Sequence, residues 1–194
     1  MKTERISITY RRMKIIARKT ASGWEARAFD GKAPASEPHT GPSSDEVIVA
    51  VKAELDRAAM EERERRGDDG YPTADHVKKA FARLQPNDGQ LAMLVAHLNA
   101  TDHILTATQL AAAAGKDSFE YTNLQYGRLG RELAEEMEFT PAETSSATNQ
   151  PIWTFTLATG TRDAAEAQPS DEYVEWRWKL RPEVVEALSR LGIR

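Results

Sequence analysis

Residues 106–133, TATQLAAAAGKDSFEYTNLQYGRLGREL, decide how the second half of this 194-residue chain is read. Thr106 with Gln109 three positions on forms a capping box, and Leu105 and Leu110 are spaced as a hydrophobic staple around it. The short helix so opened ends at Gly115, the residue type that accepts the left-handed turn after a helix. Asp117 with Glu120 then opens a longer helix to about Met137, with Tyr126, Leu129, Leu133 and Met137 along one face. Ala111 is small where two helices would cross, and Gly115 permits the bend. Leu110 and Ala114 anchor the first helix, and Tyr121 and Leu124 are the expected anchors of the second. Together these features predict a helix-turn-helix.

Working outward, Val77, Ala80, Phe81 and Leu84 share a helical face, and Pro86-Asn87-Asp88-Gly89 ends that helix and caps the next. The next helix is expected to bury Leu91, Leu94, Val95 and Leu98. Downstream, Trp153, Phe155 and Leu157 alternate with Thr, and Val174, Trp176, Trp178 and Leu180 alternate with charged residues. The pair predicts an antiparallel hairpin around a loop at 160–171, placed as a wing would be. Pro182 suits a first helical position, and Val184, Val185, Leu188 and Leu191 complete a closing helix that Gly192 ends.

Upstream, Ile6, Ile8 and Tyr10 alternate with polar residues, 13–18 continues as a strand, and 24–29 is a third with Trp24, Ala26 and Ala28 on one face. Residues 33–44 are rich in Pro and Ser and are expected as a loop. Ser43 with Glu46 caps a helix over 45–66, whose apolar face is Val47, Val51, Leu55 and Ala58. The Gly67-Asp68-Asp69-Gly70 cluster, read as a solvated turn, marks the expected boundary. The fold class is therefore α+β. A three-stranded antiparallel sheet with one helix (1–66) leads through a linker (67–72) to a helical winged-helix-like domain with a β hairpin and C-terminal helix (73–194).

The net charge of -4 conceals its distribution. Residues 1–32 carry +6 and residues 33–75 carry −6, so a basic β element precedes an acidic helix. With no cysteine, disulfides, thiolate catalysis and Cys-ligated metals are excluded. No apolar run approaches the roughly 18 residues of a membrane span, and the N-terminus lacks the apolar stretch of a secretory signal. A cytoplasmic protein without a membrane partner is expected. His39, His76, His97 and His103 have no metal-ligand spacing, and nothing unites a nucleophile, a base and an orienting group. No metal, cofactor or enzymatic activity is expected.

Double-stranded DNA is the expected partner. The N-terminal half of the 118–137 helix would face base edges in the major groove, with Lys116, Ser118, Asn123, Gln125, Arg128 and Arg131 as candidates. Asn and Gln pair with adenine, and Arg pairs with guanine or phosphate. Arg11, Arg12 and Lys14, followed by Arg18 and Lys19, form the second candidate contact. Gly127-Arg128-Leu129-Gly130 has the GxxG spacing of a KH-domain clamp, but inside a helix it predicts close packing instead. The four Trp are expected mainly in cores, though aromatic clusters also stack unpaired bases.

Asn123-Leu124-Gln125-Tyr126-Gly127-Arg128-Leu129-Gly130, after Leu105-Thr106-Ala107 and Ala113-Ala114-Gly115, resembles a helical domain found beside HNH nuclease domains in bacterial restriction-type proteins. Trp178-Lys179-Leu180-Arg181-Pro182-Glu183 and Ala187-Leu188-Ser189-Arg190-Leu191-Gly192 resemble its ending, so the likeness spans about residues 85–194. The nuclease half has no counterpart in this sequence. The resemblance implies a non-catalytic DNA-recognition or regulatory part, in restriction, phage defence or transcription regulation. The N-terminal strand–strand–helix order is similar to the small domain of HicB-type antitoxins. A second reading is a protein-binding inhibitor or adaptor, such as a phage-encoded anti-defence (anti-CRISPR-like) protein, docking through its acidic helix. Either reading admits a homodimer, as paired DNA half-sites would require.

Overall fold

The computed structural model describes residues 4–161 and 176–194. The chain forms two compact units, Met1–Arg65 and Arg66–Arg194, each with its own hydrophobic core.

In the first unit, β1 (Arg5–Tyr10), β2 (Met13–Thr20) and β3 (Gly23–Asp30) form an antiparallel meander. The residues expected as a loop contribute two more short strands, β4 (Ala33–Pro34) and β5 (His39–Gly41), both paired with β3. The period-2 alternation buries Ile15, Ala17, Ala26 and Ala28 on one face, under α1 (Ser44–Glu64). Val47, Val51 and Leu55 of α1 complete this core, whereas Ala58, expected in it, is exposed. The buried stripe ends at Leu55, and only the charged tail follows. Arg11 and Arg12 both have left-handed backbone (φ 43 and 62), the conformation of a tight two-residue hairpin turn.

Half of the expected capping box forms at α1. The Ser43 hydroxyl accepts from the Glu46 amide at 3.3 Å, but the Glu46 carboxylate accepts from that hydroxyl, not from the Ser43 backbone. Ser43→Ala should lower the stability of this unit by about 1 kcal/mol, measurable by urea unfolding.

In the second unit, α2 (Ala74–Phe81), α3 (Asp88–Asn99), β6 (Ile104–Thr106), α4 (Ala107–Ala113), α5 (Phe119–Glu136), β7 (Ala158–Thr161), β8 (Arg177–Leu180) and α6 (Pro182–Arg190) follow in order. The strands form an antiparallel sheet in the order β6-β8-β7, so the expected hairpin exists and β8 is its central strand. Trp153–Thr156 is a 3-10 turn where a strand was expected, and it buries Thr154 and Thr156. Residues 162–171 of the expected loop, and Val174 of the expected strand, lie outside the described residues.

Residues 67–72, expected as a linker, are part of this unit's structure. Tyr71 is 2 % exposed, and its hydroxyl donates to the Thr156 carbonyl at 2.6 Å. Asp69, expected in a solvated turn, accepts from Arg181 at 2.8 Å, and that guanidinium lies 4.2 Å over the Tyr71 ring. The Tyr71 amide and Arg181 together hold the Asp69 carboxyl below its ordinary pKa.

The buried face of α3 is Gln90, Met93, Leu94 and His97, rotated from the expected one, and Leu91 is 41 % exposed. Gln90 closes a reciprocal capping box with Asn87 and also donates to the Gln125 carbonyl of α5. Among the described residues, no helix is long and apolar enough to cross a membrane.

Candidate nucleic-acid interface

The 106–133 segment folds as two helices around a tight turn. The Thr106–Gln109 capping box is complete in both directions. At the other end of α4, Gly115 (φ 68) lets the Lys116 amide reach the Ala111 carbonyl and its own amide reach Ala112, both at 2.9 Å. The anchors are Leu110 and Ala111 on α4 and Thr122 and Tyr126 on α5. Buried Thr122 donates its hydroxyl to the Ala107 carbonyl at 2.8 Å, pinning the start of α5 to the start of α4. Tyr121, an expected anchor, is only partly buried against the core, and Leu124 is 52 % exposed.

Tyr126, Leu129 and Leu133 lock α5 into the core, which leaves its opposite face outward. Arg128 and Arg131 lie on that exposed face, and Asn123 is exposed on its flank. Asn123, Gly127 and Arg131, four residues apart, follow one ridge of the helix. Arg131 pairs with Glu135 at 2.9 Å. Glu120 and Glu132 are also exposed on α5, whereas Glu136 is half-buried and 3.5 Å from Arg83.

Besides Arg131, three more candidates are engaged as follows. Ser118, not Asp117, is the N-cap of α5, and its hydroxyl is engaged by the Glu120 amide and carboxylate. Gln125 faces α3, where its side-chain oxygen accepts from Asn87 at 3.2 Å. Arg11 donates to Asp56 at 2.5 Å, an acceptor it shares with the Tyr10 hydroxyl. These two hydrogen bonds, Arg11's first, hold the Asp56 carboxyl below its ordinary pKa. Lys116 is exposed, with its ammonium 5.7 Å from the Tyr121 ring centroid. Arg12 is exposed in the β1–β2 turn.

Lys14 belongs to a larger feature that the linear search for basic residues missed. Alternation puts it on the sheet face opposite α1, and the registers Arg5↔Arg18, Arg18↔Glu25 and Ile16↔Arg27 put Arg5, Arg18 and Arg27 there too. Arg18 is neutralised by Glu25 at 2.8 Å, and Arg27 donates to the Ser36 carbonyl at 2.7 Å. The signal was available in the parity of the strand, where Lys14 and Arg18 alternate with the apolar Ile15 and Ala17.

The two glycines of α5 have different roles. A Cβ on Gly130 would lie 2.1 Å from the Trp153 carbonyl oxygen, so the close packing expected of the GxxG spacing occurs there. A Cβ on Gly127 would meet nothing within 4 Å. Gly127 instead lines an open cavity of about 460 Å³ with Asn123, Ile152, Trp153, Thr154, Phe155, Trp176 and Trp178. Trp178 is nearly buried and meets Phe155 edge to face at 5.3 Å, while Trp176 is 38 % exposed.

His97 is fully buried. Its Nε2 lies 2.9 Å from the Trp178 carbonyl, and its Nδ1 3.1 Å from the Tyr126 hydroxyl. Among the described residues, no group of three His, Asp or Glu side chains could hold a metal ion. In comparison with known proteins, the chain matches no family model, no curated protein and no solved structure.

Proposed function

We propose that this protein binds double-stranded DNA without catalysis, and that its second unit acts as a winged helix-turn-helix. The observation that carries this reading is the outward face of α5. Arg128 and Arg131 are exposed there, with Asn123 exposed on the flank, while Tyr126, Leu129 and Leu133 fix the helix from behind. A rigid helix of this kind fits the major groove, its amide and guanidinium groups suiting base edges and phosphates. The order α3-β6-α4-α5-β7-β8, with the first strand beside the last, supports the winged-helix assignment. The outer face of the N-terminal sheet, with Arg5 and Lys14, offers a second phosphate-contacting surface.

Fluorescence anisotropy with a labelled duplex at two salt concentrations tests this. Each phosphate contact contributes a log–log salt slope of roughly −0.9. Changing Arg128 and Arg131 together to Ala should therefore weaken binding and flatten the slope by about 2. Both residues are exposed, so thermal unfolding should change little. Wild-type protein that binds no duplex at low salt would overturn the reading.

A further inference from the structure

We propose that the open cavity between α5 and the Trp153–Thr156 turn is a binding site for a nucleobase, stacked on its tryptophans. The inference builds on the DNA-binding reading, which supplies the base. At about 460 Å³ the cavity is within the usual size range of small-ligand sites. Its walls are Trp153, Phe155, Trp176 and Trp178, and among the described residues no charged side chain lines it. Such a lining disfavours a phosphate or a carboxylate, and the amide of Asn123 suits the edge of a flat, neutral base better than the alkylated ammonium that an aromatic cage also takes.

Phe155 braces Trp178 edge to face, with the rings at 78°. Trp176 lies 5.9 Å from Trp178, tilted by 58°, so the two rings are not stacked on each other. Gly160 makes room for Trp176, because a Cβ there would lie 2.0 Å from the indole. Gly127 leaves the α5 wall open for want of a side chain. Asn123, one helical turn before it, brings a donor and an acceptor to the same cavity, the pair that reads a base edge. Arg131, one turn beyond Gly127 on the same ridge, places a cation where the strand's phosphate would pass. A paired base must leave its stack to enter such a site, and an unpaired base does so at least cost.

The probes are a fully paired 20-base-pair duplex, the same duplex with one bulged base, and a short single-stranded oligonucleotide. Anisotropy and intrinsic tryptophan emission are read together. The bulged duplex should bind about tenfold tighter than the paired one and quench the emission. Trp176→Ala removes a stacking face, and Gly127→Leu fills the cavity from the helix. Both should bring the ratio between the two duplexes to about one. Leu91→Ala, at an exposed position of α3 that does not line the cavity, should retain the preference, and circular dichroism of all three variants checks that they fold. Equal wild-type affinity for the two duplexes would overturn the cavity proposal while leaving the DNA-binding reading intact. A preference or quenching that survives in both Trp176→Ala and Gly127→Leu would also overturn it. If neither duplex binds but the single strand quenches wild type and not Trp176→Ala, the cavity proposal stands and the duplex reading falls. If no probe binds, both fall.

Discussion

Gly130→Ala should destabilise the C-terminal unit by about 3 kcal/mol, the upper end of the usual range for inserting one methyl into a packed interior. The added Cβ would sit 2.1 Å from the Trp153 carbonyl oxygen and 2.8 Å from its carbon. Both are backbone atoms, so no rotamer change relieves the contact, and the turn or the helix must move. Exchanging Gly for Ala inside a helix would otherwise stabilise by up to about 1 kcal/mol. The loss should therefore appear despite a favourable propensity term. Gly127→Ala is the internal comparison, since its methyl meets no atom within 4 Å and should raise stability by somewhat less than about 1 kcal/mol. Urea unfolding of the two variants, followed by circular dichroism, should thus give shifts of opposite sign. Equal shifts would mean that α5 and the Trp153–Thr156 turn do not pack at Gly130. The turn also carries Trp153 and Phe155 into the cavity, so Gly130→Ala should change tryptophan emission as well.

How much of this was legible in the sequence depends on whether the signal was local. Caps, turns and periodic faces are local, so α4, its Thr106–Gln109 box, the Gly115 turn and the Tyr126–Leu129–Leu133 face could be read directly. What failed depended on distant partners. β6 has three residues and exists because β8, more than 70 positions on, pairs with it. Trp153, Phe155 and Leu157 alternate like a strand, but the turn they form is pressed against Gly130 and buries the intervening threonines. The face of α3 was misplaced because two of its four buried residues, Gln90 and His97, are polar and are buried for hydrogen bonds. Hydropathy counts both as outward. At the candidate interface, residue type nominated Asn123, Arg128 and Arg131, but it could not reveal that Arg131, Gln125, Ser118 and Arg11 already have partners. Nor could it bring Trp153 and Trp176 to one cavity.

Acidification from pH 7 to pH 4 should cost the C-terminal unit about 3 kcal/mol through His97 alone. The Trp178 carbonyl can only accept, so Nε2 carries the proton, and the Tyr126 hydroxyl donates to Nδ1. Burial lowers the pKa of this imidazole from 6.5 to about 4, because a charged ring would have to leave water. The unfolded chain binds the proton near pH 6.5, whereas the folded unit resists it until about pH 4. The contribution is thus complete above pH 6.5. It declines by about 1.4 kcal/mol per unit as the pH falls through that window. Carboxylates such as Asp69, whose pKa is lowered, add an acid sensitivity of their own. They do so in wild type and in His97→Gln alike, so the difference between the two isolates the histidine. Measured by urea unfolding at several pH values, the wild-type advantage over His97→Gln should shrink by about 3 kcal/mol between pH 7 and pH 4. A constant difference would mean that the imidazole titrates normally in the fold. His97 bonds α5 through Tyr126 and the central strand β8 through Trp178. Its protonation therefore loosens the elements that position both the exposed face of α5 and the tryptophan wall of the cavity.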